Sequence, residues 1–160
     1  PIKTEKASIC SDCGGHCCKW SPGIFEPSQL LKEGEPPIVT FRKLLETGKY
    51  VINYVYSDDG RSRIMVIQPR ATFTSQEPST FWEAHHDNHG TCTFHSDNGC
   101  AFSYEERPLE CQKLIPKENQ KCHYPSDWDS KETVHKPWRA FQHALQALRD
   151  ECWDRVPTLN

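Results

Sequence analysis

Nine cysteines are the residues of this chain whose type and spacing could do chemistry. Four of them fall in the segment CSDCGGHCC at 10–18, which we call the cysteine knuckle. A Cys-x-x-Cys turn directs two sulfurs at one centre, and Gly14 and Gly15 let the backbone fold sharply. Thiolates arranged in this way bind soft ions such as zinc, copper(I) or the iron of iron–sulfur clusters. The knuckle therefore predicts a metal site.

The other cysteines lie further apart, and each of them alone could be a buried apolar thiol. Cys92 and Cys100 flank the turn sequence SDNG, which would bring them together across a small loop. Arg107 and Pro108 place a rigid turn ahead of Cys111, and a guanidinium there would offset the charge of nearby thiolates. The predicted ligands are Cys10, Cys13, Cys17, Cys18, Cys92, Cys100, Cys111 and Cys122.

Disulfides are the competing interpretation of so many cysteines. The number of cysteines is odd, so they cannot all pair within the chain. Cys17 and Cys18 are adjacent, which suits convergence on an ion better than pairing. The segment Pro1–Cys10 lacks the apolar run of a signal peptide, and the sequence has no apolar stretch as long as a membrane span. We therefore expect reduced thiolates in a cytoplasmic protein that does not enter a membrane.

Eight thiolates are enough for two closed tetrahedral zinc sites, and a [4Fe–4S] cluster also takes four cysteines, often from a compact local run. We expect zinc, with iron or a [4Fe–4S] cluster as the alternative. The net charge of the chain is -3, with both signs interspersed. Two divalent ions on eight thiolates would add about -4 to it. A metal ion is thus the expected partner, nucleic acid is not, and a protein partner stays open.

An ordered set of residues extends the pattern beyond any single Cys-x-x-Cys pair. It comprises Cys10-x-x-Cys13-Gly14-Gly15-His16-Cys17-Cys18, then Cys92-Thr93-Phe94, Gly99-Cys100 and Arg107-Pro108-x-x-Cys111, followed by Pro116. With this set the chain resembles the CxxCxxCC zinc- or iron-chelating domain family of cysteine-cluster proteins. It departs from the family in having three residues, not two, between Cys13 and Cys17. His95 also stands where the family often carries an apolar residue.

The resemblance implies metal chelation by these cysteines and leaves catalysis open. One branch of the family looks like flagellin lysine N-methylases, in which a related cluster accompanies methyl transfer to a protein. The sequence shows no glycine-rich nucleotide loop that would support such an enzyme independently. The alternatives to a metal-binding protein are an iron–sulfur enzyme or accessory protein, for redox chemistry or protein methylation, and a metal-delivery module that a partner recognises.

The elements that must position the cysteines are predicted to form one small α+β domain over residues 1–160, with 1–9 as a flexible lead-in. A short helix is expected near Pro27–Lys32, and Thr40 is expected to cap a second helix over Phe41–Thr47. The β-branched and aromatic runs Tyr50–Tyr56 and Arg61–Gln68 flank SDDG and predict an antiparallel hairpin. Residues 69–90 are polar and predict an irregular segment.

A long amphipathic helix is predicted to begin at Pro137. Its apolar stripe recurs at steps of three and four residues and consists of Trp138, Phe141, Leu145, Leu148 and Cys152. Cys152 is therefore expected to be a core thiol and not a ligand.

The histidines are weaker candidates than the cysteines. His85, His86 and His89 could bind a metal together, but Asn88 and Gly90 make a solvated loop the better interpretation. His16 lies inside the knuckle, where the cysteines suffice as ligands. His95 and His123 each stand near a cysteine in the sequence, which is compatible with a hydrogen bond to sulfur.

Overall fold

The fold is taken from a computed structural model, which describes residues 14–72, 81–84, 88–97, 99–117 and 122–154 and leaves the side chain of His16 undescribed. The predicted lead-in at 1–9 lies outside the described residues. So do Cys10, Cys13, His85 and His86.

An antiparallel hairpin forms the centre of the fold. Its strands are β1 (Tyr50–Tyr56) and β2 (Arg63–Pro69), paired from Tyr50 opposite Pro69 to Tyr56 opposite Arg63. The hairpin was predicted, but β2 begins two residues later than expected. The Asp59 carboxylate accepts hydrogen bonds from the backbone N–H groups of Arg61 and Ser62, at 2.8 Å each, and this widens the turn.

Within the described ranges, four two-residue strands follow the hairpin and form two further antiparallel pairs. β3 (Ala71–Thr72) pairs with β4 (Thr91–Cys92), and β5 (His95–Ser96) pairs with β6 (Gly99–Cys100). Strands this short are stabilised by what packs on them and not by their own ladder hydrogen bonds. The β5–β6 pair reverses the chain at the predicted SDNG turn.

Helix α1 spans Pro37–Glu46 and starts earlier than the sequence predicted. Pro37 occupies its first turn, where a missing N–H costs nothing. Thr40 therefore lies inside the helix and does not cap it; its hydroxyl donates to the Glu35 carboxylate at 2.7 Å. The end of α1 lies close to the predicted end, with Gly48 at a φ of 76° directly after the last turn. The helix predicted near Pro27–Lys32 is only a 3₁₀ turn, Pro27–Gln29.

The C-terminal helical segment also begins earlier than predicted. A π-helical turn (Lys131–His135) and a 3₁₀ helix (Lys136–Phe141) precede an α-helix at Gln142–Asp154. Pro137 lies inside this segment, where it has no N–H to donate to the preceding turn. That loss accounts for the irregular hydrogen-bond pattern on either side of it.

The apolar stripe of this segment forms one wall of the core, as predicted. Trp138, Leu145 and Leu148 are fully buried, and Cys152 is 6% exposed. The Trp138 indole packs against Phe41 of α1 with ring centroids 5.6 Å apart, and its N–H donates to the Phe25 carbonyl at 2.8 Å. The described chain is thus a small α+β fold, in which helices pack on a hairpin and the cysteine-bearing segments lie beside it.

No helix in the described ranges is both long enough and apolar enough to cross a membrane.

Candidate metal site

Six of the eight predicted ligands line a single cavity of about 200 Å³, which we call the cysteine cavity. They come from four segments of the chain and are Cys17, Cys18, Cys92, Cys100, Cys111 and Cys122. Cys10 and Cys13 lie outside the described residues. Cys152 belongs instead to the buried stripe of the C-terminal segment, as expected of a core thiol.

The described end of the knuckle is a 3₁₀ turn, His16–Lys19, that carries Cys17 and Cys18. Gly14 and Gly15 precede it with φ values of 72° and 71°, a conformation that favours glycine. A Cβ on Gly15 would lie 3.1 Å from the Gly99 Cα, so glycine also permits a close approach to β6. The 3₁₀ turn contacts both β4 and β6, which carry Cys92 and Cys100.

His95 fastens the knuckle to the β5–β6 pair. Its ring Nε2 lies 2.7 Å from the Gly14 carbonyl oxygen, so the ring donates a hydrogen bond to the backbone of the knuckle. The sequence was also compatible with a hydrogen bond from His95 to a sulfur. The polar residue at this position instead holds two cysteine segments together, which an apolar residue could not do.

The third cysteine segment is the short helix α2, Leu109–Lys113, which carries Cys111. Gly23 faces Cys111 directly, and a Cβ built on Gly23 would overlap the Cys111 Sγ. The backbone of Ile115 then pairs with that of His123, with N–O distances of 2.7 and 3.2 Å. Cys122, the neighbour of His123, lies on the lining of the same cavity.

The remaining wall of the cavity is largely apolar. Phe94 and Phe102 line it with their ring centroids 4.1 Å apart, and Leu114 and Pro69 lie on its lining as well. An apolar wall limits the access of water, and it makes any uncompensated charge in the cavity costly.

The thiols respond to this environment in two ways. Burial raises the pKa of Cys92 to about 11 and raises that of Cys111 further. The pKa of Cys17 is instead lowered to about 6, because the Cys18 thiol donates a hydrogen bond to it; the same bond raises the pKa of Cys18. Cys18, Cys92 and Cys111 are therefore stable as neutral thiols unless a cation offsets their charge.

Arg107 lines the cavity, as the sequence led us to expect of a guanidinium beside thiolates. Its Nε is buried and has no hydrogen-bond partner in the described part of the chain. Its backbone carbonyl accepts from the side-chain amides of Gln29 and Gln112, at 2.9 Å each, which fixes the position of the residue. A buried cationic donor without a partner fits a site that gains negative charge when its thiols ionise.

The cavity sulfurs are not arranged as a finished ligand set. Among the described residues, no three His, Cys, Asp or Glu side chains form a group that could hold a metal ion as they stand. None of the seven described cysteines takes part in a disulfide. The donor chemistry and the unpartnered Arg107 Nε fit a soft cation, whose binding requires the thiol side chains to rotate towards a common point.

Glu110, on the lining of the cavity, contacts His135 of the C-terminal segment, and neither residue was identified from the sequence. The Glu110 carboxylate accepts from the backbone N–H of Ile24 at 2.9 Å and from the Ser130 hydroxyl at 2.5 Å. It also lies 3.2 Å from Nε2 of His135, whose Nδ1 lies 2.6 Å from the Tyr56 carbonyl oxygen. Both ring nitrogens thus face acceptors, which favours a protonated imidazole.

This arrangement predicts a pH dependence of stability. Burial alone would lower the pKa of His135, but its hydrogen bonds to Glu110 and Tyr56 outweigh burial and raise it. The stabilisation is therefore complete below the unfolded pKa of about 6.5 and is lost as the pH rises through the higher folded value. We expect the difference in unfolding free energy between wild type and His135→Gln to shrink from about pH 6 to about pH 8.

Denaturant unfolding of the two proteins at matched pH measures this difference. His143→Gln, which changes an exposed histidine, is the control and should match wild type at every pH. A difference in unfolding free energy between wild type and His135→Gln that stays constant with pH would contradict the prediction.

The histidine cluster at 85–89 gives little support to a second metal site. His89 is exposed, and the other two histidines lie outside the described residues. Asn88 is the notable member of this segment: it is buried, its side chain accepts from the Ala71 N–H at 2.8 Å, and it donates to the Pro69 carbonyl at 2.9 Å. It thereby anchors the approach to β4, a role the sequence did not reveal.

The contact between Gly23 and Cys111 yields a second prediction. Gly23→Ala should displace the Cys111 sulfur and lower the metal content of the purified protein, because the added methyl group occupies the space of the sulfur. Gly34→Ala is the control: it alters a glycine with a φ of 76° but with nothing within 4 Å of the new Cβ. Gly34→Ala should cost about 1 kcal/mol of stability and leave metal content unchanged. Equal metal content in Gly23→Ala and wild type would refute the prediction.

Comparison of the chain with models of known families, with curated proteins and with solved structures finds no match.

Proposed function

We propose that this protein binds zinc or iron through the cysteine thiolates of the cysteine cavity, as a member of the CxxCxxCC family. The observation that carries the proposal is the convergence of six cysteines, from segments up to about a hundred residues apart, on one cavity. Core packing does not require so many thiols at one place, whereas a soft cation does. Cys10 and Cys13 complete the proposed ligand set.

The surroundings of the sulfurs support the same proposal. A cation would permit the buried thiols to ionise despite the apolar wall, and Arg107 would offset part of the remaining negative charge. The metal would supply the positive charge that the sulfurs need and would draw them to a common point. The contacts of Gly23, His95 and Ile115 hold the cysteine segments next to one another. Zinc is the proposed metal, since it closes four-thiolate sites without further ligands, and a reducing cytoplasmic environment would keep the thiols free.

The test is elemental analysis and an absorption spectrum of protein purified without oxygen. Colourless protein with bound zinc supports the proposal directly. A brown preparation with iron and sulfide would support the alternative of an iron–sulfur protein with redox or protein-methylation chemistry. Protein without bound metal, even when zinc is supplied during expression, would overturn the proposal. A variant without the core thiol, Cys152→Ala, should have the same metal content as wild type, because this thiol lies away from the cavity.

Arg107 gives a third prediction. Arg107→Ala should lower metal occupancy and weaken retention against a competing chelator, because the thiolates lose a neighbouring positive charge. Arg107→Lys should recover part of the loss, since it restores the charge without the planar guanidinium. Arg139→Ala, which removes an arginine that binds Asp58 on the hairpin turn, is the control and should retain the metal as wild type does. Unchanged metal content in Arg107→Ala would show that the charge of Arg107 does not contribute to metal binding.

A further inference from the structure

Glu110 stands directly before Cys111, and its side chain is largely buried, with 12% of it exposed. Both residues belong to helix α2, which has five residues and is too short to be stable without tertiary contacts. The position of the Cys111 sulfur in the cavity therefore depends on the contacts that fix α2 to the rest of the fold.

Glu110 binds the backbone of Ile24 at two points. Its carboxylate Oε2 accepts from the Ile24 N–H at 2.9 Å, and its own backbone N–H donates to the Ile24 carbonyl at 3.5 Å. Gly23, the residue before Ile24, faces the Cys111 sulfur so closely that a Cβ would not fit between them. The two bonds to Ile24 therefore hold α2 against the backbone that Cys111 packs on.

The other oxygen of the carboxylate is held by the C-terminal segment. Oε1 accepts from the Ser130 hydroxyl at 2.5 Å and lies 3.2 Å from Nε2 of His135. His135 is in turn fixed to the hairpin, because its Nδ1 lies 2.6 Å from the Tyr56 carbonyl oxygen. The carboxylate cannot turn away from Ile24 without losing these contacts, and both of its oxygens already accept hydrogen bonds from the protein.

We propose that Glu110 is a positioning residue of the candidate metal site: its carboxylate, held by Ser130 and His135, bonds the Ile24 N–H and thereby places the Cys111 sulfur in the cysteine cavity. Glu110 does not contact the metal in this role. The use of Cys111 as a ligand rests on the proposed function, and the inference adds the contact that makes this cysteine available. The role depends on the reach of the side chain and not on its negative charge.

Two substitutions separate reach from charge. Glu110→Gln keeps the length of the side chain: its amide oxygen can accept from the Ile24 N–H, while its NH₂ group donates to the Ser130 oxygen and to Nε2 of a neutral His135. Glu110→Asp keeps the charge but is one methylene shorter, so its carboxylate cannot reach Ile24 and Ser130 together. In competition with a chromophoric chelator, we expect Glu110→Gln to bind zinc within about threefold of wild type and Glu110→Asp to lose about tenfold or more in affinity.

The absorption of full-length protein loaded with cobalt(II) distinguishes this role from a loss of stability. Thiolate-to-cobalt absorption per bound ion reports the number of sulfur ligands, whereas a destabilised fold lowers only the number of loaded molecules. Glu110→Asp should lose absorption per ion to the same extent as Cys111→Ser, and Glu110→Gln should match wild type. Leu148→Ala, which destabilises the buried core, is the control and should keep the wild-type absorption per ion.

Each outcome separates the inference from the proposed function. Wild-type absorption per ion in Glu110→Asp, or a Glu110→Gln variant as impaired as Glu110→Asp, would overturn the inference and leave metal binding standing. Wild-type protein that binds neither zinc nor cobalt(II) would overturn both. Because Glu110→Asp can impair folding, hydrogen exchange of zinc-loaded wild type provides a second measurement. The Ile24 amide should be protected, and exchange as fast as that of an unstructured amide would overturn the inference.

Discussion

Removing the proposed metal with a strong chelator, under reducing conditions without oxygen, is expected to abolish cooperative unfolding, so that the melting curve loses its sharp transition. The cavity region consists of two-residue strands, 3₁₀ turns and the five-residue helix α2, which are too short to hold their positions by backbone hydrogen bonds alone. A metal that binds only the folded chain contributes about 4 kcal/mol when its concentration is a thousand times its Kd. That amount is a large part of the stability of a domain of this size.

Circular dichroism melting curves before and after chelation measure the effect. Zinc added back should restore the original curve, and magnesium, which prefers oxygen ligands, should not. Hydrogen exchange should show the largest loss of protection in the backbone of Cys18, Cys100 and Cys111, and a smaller loss in the hairpin. A metal-free protein that melts as the metal-bound protein does would refute both this prediction and the structural role of the metal.

Trp138→Ala is expected to destabilise the protein by about 3–5 kcal/mol. The indole, which the C-terminal segment carries, is fully buried against α1, and its N–H donates to the Phe25 carbonyl. Its loss leaves a large cavity in the core and an unpaired Phe25 carbonyl near the end of the segment between the knuckle and the 3₁₀ turn at Pro27.

Urea unfolding of metal-loaded protein measures this loss. Trp153→Ala is the matched control: its side chain is 50% exposed, and its change should cost no more than about 1 kcal/mol. Trp138→Phe should lie between the two, because it keeps an aromatic ring and loses the hydrogen bond. If Trp138→Ala lowers the free energy of unfolding by less than Trp153→Ala does, the core does not depend on Trp138.

Two elements could be predicted from the sequence because their patterns are local. The hairpin follows from two β-branched and aromatic runs around SDDG, and the stripe of the C-terminal segment follows from its three- and four-residue spacing. The starts of the helices were wrong in both α1 and the C-terminal segment. Pro37 lies in the first turn of α1, where its missing N–H costs nothing, and Pro137 lies inside the C-terminal segment, whose hydrogen bonds rearrange around it.

What the sequence by itself determined is the number of the cysteines and their local spacing, on which the proposal of a metal site rests. Only the tertiary structure decided that Cys92, Cys111 and Cys122 lie on the same cavity as the knuckle. It also revealed the parts that hold them there, namely Gly23 against Cys111, His95 on the Gly14 carbonyl, and Glu110 between Ile24 and His135. The physical reason is that ligand chemistry depends on residue type and local spacing. The meeting of the cysteines at one cavity depends on contacts between residues far apart in the chain, and such contacts leave no periodic pattern in the sequence.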